Sequence, residues 1–142
     1  MSRTEDINPD IFFYSLLVDT AALEDDLEIL QEHTPWLVKE AKRHGNKLFQ
    51  AIALRALAVS SRLGGKHKHA HEQLEEAEVI FKDMNTDWQL GRTYYEFGQL
   101  SAAQDRSDEA KKHFEQAVAH FENMGALPDI KRTQSAIESL IS

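Results

Sequence analysis

Displacing the sequence against itself by forty residues brings alike residues into register, and few features constrain a fold more tightly than an internal repeat of this length. Leu57 meets Phe97, Ala58 meets Gly98, Ser61 meets Ser101, Ala70 meets Ala110, Leu74 meets Phe114, Ala77 meets Ala117, Phe81 meets Phe121 and Met84 meets Met124. Arg92 and Thr93 then meet Arg132 and Thr133. Small residues recur with large apolar ones three or four positions away. Small residues let two helix axes approach to about 8 Å, and the neighbouring Leu or Phe fills the groove between them. Each repeat therefore reads as a helical hairpin.

Local signals agree. Segments 48–62 and 88–104 carry apolar residues at helical spacing without Pro, and each is followed by a turn, at Gly64 and Gly65 and over 105–108. Gly65 suits a left-handed turn position. Ser107, followed by Asp108 and Glu109, reads as a helix cap with an acidic first turn. Second helices are predicted over 66–84 and 107–124, ending at Asn85 and Gly125. Carried back one period, the pattern meets Leu17, Val18, Leu30, Leu37 and Ala41, with His44-Gly45-Asn46 at the turn. Thr34-Pro35 reads as a cap and first-turn pair, so 35–44 is predicted to be a helix of its own, preceded by a helix or helices within 9–31. A last helix spans 128–141. A chain of 142 residues can bury one ordinary core. The reading is a single all-α domain over 1–142, with a degenerate first unit (1–46), two clear units (47–86 and 87–126) and a capping helix (127–142).

These residues resemble the tetratricopeptide repeat (TPR) family. Tyr94, Phe97 and Gly98 look like its first-helix signature, and Ala110, Phe114 and Ala117 like its second. Leu54, Leu57, Ala58, Gly65, Ala70, Leu74 and Ala77 repeat the pattern. Ser61 and Ser101 depart from it where the family often has an aromatic, as does Glu122 in place of the usual Pro, and the period exceeds the family's usual ~34 residues. The longer period looks like the forty-residue variety known from bacterial signalling and regulatory proteins. The resemblance implies a right-handed α-solenoid of stacked antiparallel hairpins, acting as a non-catalytic module that binds a peptide or partner helix. It also implies that the first helix of each unit lines the concave face.

By spacing, the outward residues of those helices are Ile52, Arg55, Val59 and Arg62, then Arg92, Tyr95, Gln99 and Ala102, then Arg132, Ser135 and Ser139. Four arginines beside Tyr95 would form a positive strip suited to carboxylates, pointing to an acidic peptide or protein. The competing reading pairs these arginines with nearby acids. The Lys and Asn positions of the family's chaperone-tail clamp are missing, with Arg55 and Val59 in one repeat and Tyr95 and Gln99 in the next. The amino-terminal run Ile11, Phe12, Phe13, Tyr14, Leu16 and Leu17 is either core packing or a docking face, with Phe12, Phe13 and Leu16 as candidates for self-association or for contact with another domain.

Net charge is −8, and residues 1–40 hold ten acids against Arg3 and Lys39 (2 − 10 = −8), leaving fourteen of each sign in the remainder. Such a distribution argues against nucleic-acid binding. No apolar run has the ~20 residues of a membrane span, and the acidic start is unlike a signal peptide. With no Cys, a cytoplasmic protein is expected. His67 and His71 share a helix face, yet HEQLE lacks the second His of a zinc motif, and His113 and His120 read as surface residues. With no phosphate loop, nucleophile elbow or cysteine nucleophile, the sequence points to no enzyme, no metal and no cofactor.

Overall fold

A computed structural model describes residues 8–141; the acidic opening stretch 1–7 lies outside them. The described residues form seven α-helices: α1 (Asp10–Leu23), α2 (Leu27–Arg43), α3 (Lys47–Leu63), α4 (His67–Met84), α5 (Asp87–Ala103), α6 (Ser107–Met124) and α7 (Leu127–Ser139). No strand occurs among them.

The six turns share one geometry. Asp25, Gly45, Gly65, Asn85, Asp105 and Gly125 have left-handed φ of 52–75° and stand twenty residues apart. After each, the next amide reaches back five residues: Asp26 to the Ala21 carbonyl (2.9 Å), Asn46 to Ala41 (3.0 Å), Lys66 to Ser61 (2.8 Å), Thr86 to Phe81 (3.5 Å), Arg106 to Ser101 (2.9 Å) and Ala126 to Phe121 (3.0 Å). This bond satisfies carbonyls that a helix end leaves open. Every following helix begins two residues beyond the left-handed one. That geometry corrects the reading of Ser107 as a cap: Arg106 holds the cap position without a side-chain bond, and Ser107 is the first helical residue.

A second correction concerns residues 35–44, which are not a separate helix. Pro35 lies inside α2. The Asp26 carboxylate accepts from the Ile29 amide (3.2 Å) and starts the helix early, and Leu30, Thr34, Leu37 and Ala41 are buried on one face across the proline. An interior Pro costs about 3 kcal/mol, partly through the carbonyl it leaves unbonded. That carbonyl belongs to Gln31, which is exposed. Water can satisfy it while the apolar face stays continuous.

Two compact units, Met1–Ile80 and Phe81–Ser142, divide the chain within α4. In the first, α1 packs on α2 and α3, and α2 packs on α3. In the second, α6 packs on α5 and α7 packs on α6. The α5–α6 approach depends on two glycines. A Cβ on Gly91 would lie 2.6 Å from the Phe121 ring, and one on Gly98 would collide with the Phe114 ring. Both rings are fully buried. No helix is long and apolar enough to cross a membrane among the described residues.

Candidate binding groove

Tyr95, Gln99 and Ala102 recur at helical spacing on α5, as do Arg132, Ser135 and Ser139 on α7. The two rows meet along a groove of about 600 Å³ completed by Phe114 and Ser107 of α6 and by Asp105 of the turn before it. Tyr95 packs its ring 5.6 Å from that of Phe114, and its hydroxyl accepts from the Gln99 amide (3.3 Å). Arg132 donates to Asp129 (3.0 Å), whose other oxygen accepts from the Trp88 indole (3.2 Å). The Arg132 side chain keeps 40% of its surface in solvent. The groove thus presents one reachable guanidinium, hydroxyls and an amide over an aromatic floor, with the Asp105 carboxylate at one margin.

The other sequence candidates are not on this groove. Arg55 is fully buried and donates to Asp19 (2.9 Å), and Val59 and Ile52 are buried as well. Arg62 pairs with Asp25 (2.5 and 3.3 Å). Arg92 is buried and pairs with Glu96 (3.1 Å), its guanidinium 5.8 Å from the Tyr95 ring centre. All four arginines therefore meet carboxylates, and the expected continuous positive strip is replaced by ion pairs. The reason is packing. α3 and most of α5 are enclosed on several faces, so the spacing that marks an outward row also marks an enclosed one, and an enclosed guanidinium needs a counter-charge. Phe12, Phe13 and Leu16 are exposed on α1.

Asp19, Asp25, Glu96 and Asp129 are the partners of these arginines, which spacing arguments did not name. Glu96 and Asp129 stand four residues after and three before their arginines, a signal open to reading. Asp19 and Asp25 lie 36 and 37 residues upstream of theirs, where only the tertiary fold reveals the pairing.

In the same unit Asp87 accepts from His120 (2.8 Å) and from Asn123 (3.4 Å), and His120 stacks on Tyr94 at 5.5 Å. The His120 hydrogen bond, then that of Asn123, holds the Asp87 carboxyl below its usual range. His69 and His71 sit beside Glu72 (3.8 Å) and Glu75 (3.3 Å) on the exposed start of α4. Among the described residues no three His, Asp or Glu side chains cluster in a way that could hold a metal ion. Comparison with protein-family models, with curated proteins and with solved structures finds no match to this chain.

Proposed function

We propose that the chain is a non-catalytic protein-interaction module, a right-handed α-solenoid of tetratricopeptide type, that takes an acidic peptide or partner helix in the α5–α7 groove. The observation that carries this reading is the convergence of Tyr95, Gln99, Ala102, Arg132, Ser135 and Ser139 on one groove of about 600 Å³. The forty-residue register and the Gly91–Phe121 and Gly98–Phe114 contacts support the repeat assignment. Arg132 is the groove's guanidinium, able to receive a carboxylate, while Gln99, Ser135 and Ser139 offer hydrogen bonds to a peptide backbone. A cytoplasmic setting belongs to this reading on the cysteine-free composition.

A test uses fluorescent Glu-rich and Lys-rich peptides titrated against the full chain. The Glu-rich peptide should bind, more weakly as salt rises. Arg132→Glu should weaken it by about tenfold or more, with helix content retained. Equal affinity for both peptides, or indifference to Arg132→Glu, would remove the groove as the site.

A further inference from the structure

The helix α1 buries Ile11, Ser15, Val18, Ala21 and Ala22 on one side and leaves Phe12, Phe13 and Leu16 more than 60% exposed on the other. A helix apolar on both sides is ordinarily covered on both. The repeat register makes the same point. Phe13 corresponds to Ala53, Thr93 and Thr133, each at most 1% exposed, and Leu16 corresponds to the buried Ala56 and Glu96. The face that is exposed on α1 is enclosed on α3 and α5, whereas on α7 Thr133 is buried, Ala136 is half-buried and Arg132 is exposed. The exposed face also continues sideways: Phe13 meets Tyr14 edge-on at 5.1 Å, and Tyr14 packs on His33 and Trp36 of α2 at 5.2 and 5.1 Å.

We propose that this face docks an amphipathic helix of another protein whose apolar stripe is bordered by lysine or arginine. This inference does not rest on the α5–α7 groove. Charge selects the occupant. Along the exposed row of α1, the apolar centre at Phe13 and Leu16, followed by the hydroxyl of Thr20, runs between Asp10 and Glu24, fourteen positions or about 21 Å apart. On α2, exposed Glu28 and Glu32 share a row with Trp36. Asp19, the remaining acid of α1, is engaged by Arg55. The lysines and arginines of α1 and α2 are confined to the far end of α2, at Lys39, Lys42 and Arg43, the last paired with Glu40 (3.4 Å), so the acidic border belongs to α1 and the first half of α2. A second copy meets like charge either way. Antiparallel α1 helices oppose Asp10 and Glu24, and parallel ones oppose each acid with itself. A basic-bordered helix instead brings cations to both carboxylates, and its cations can also lie over the Phe13, Tyr14 and Trp36 rings.

The test titrates the full chain with two synthetic amphipathic helices sharing one leucine face, one bordered by lysine and one by glutamate. The lysine helix is expected to bind at least about tenfold more tightly, and Phe13→Ser with Leu16→Ser to cost about tenfold or more while circular dichroism stays unchanged. The reversal Asp10→Lys with Glu24→Lys should weaken the lysine helix and strengthen the glutamate helix, an inversion that loss of folding does not produce. Equal binding of both helices, no binding of the lysine helix, or affinity unmoved by these variants would overturn the proposal. A dimer of the free chain that dissociates on Phe13→Ser would overturn it too, by assigning the face to a second copy.

Discussion

A guanidinium removed from water is tolerated only beside a carboxylate, and Arg92 with Glu96 meets that condition at 2% exposure for each side chain. Arg92→Glu would set two buried acids together and is expected to cost about 3–5 kcal/mol, read as a lowered denaturant midpoint. Arg132→Glu, partly solvated, should change stability by about 1 kcal/mol or less, and so serves as the probe of binding. The sequence ranked these two arginines alike because they are one period apart. Their difference is environment, which no local spacing encodes. At Asp87 the folded carboxyl sits below its usual value because His120 and Asn123 bond it. Its contribution to stability is therefore present above the unfolded carboxyl pKa and lost as pH falls through the lower folded one. An NMR titration of the Asp87 carboxyl carbon should show its midpoint rising toward the ordinary range in His120→Ala.

Among the elements, α3 to α7 were legible in outline, because apolar spacing and turn residues agree over each of them, whereas the division of the first unit into α1 and α2 was not. The predicted span 107–124 coincides with α6, and 48–62 and 88–104 lie within a residue of α3 and α5 at each end. The misreading at Pro35 has a physical source: proline is a local signal, whereas the stripe Leu30, Thr34, Leu37 and Ala41 acts through burial across the whole of α2. Pro35→Ala should then stabilise the protein, by up to about 3 kcal/mol, with the thermal midpoint as readout. The turns carry their own prediction. Asn85 holds a left-handed conformation that costs a residue with a Cβ about 1 kcal/mol, so Asn85→Gly should raise stability by several tenths to about 1 kcal/mol. Gly65→Ala should lower it by a similar amount, since space around that position is open and only its conformation resists.

Over the whole molecule, the sequence disclosed a repeat and a charge imbalance but not which repeats keep a free face. That depends on what covers each helix, and residues in equivalent positions, such as Phe13 and Thr93, end at opposite extremes of exposure. The acidic groups gathered around α1 lead to a prediction for the intact chain: light scattering should return a monomer near 16.2 kDa across a dilution series. Raising salt, which screens carboxylate repulsion, is the condition under which a dimer would first become visible. The twenty-residue spacing of the left-handed turns bears on how such a protein changes over generations. One residue inserted inside a helix rotates everything after it by about 100° and exchanges buried for exposed positions. Forty residues duplicated in frame add two complete turns and leave every neighbour in phase. Length is thus the variable this architecture can alter by a single genetic event, and point insertions are the ones it should purge.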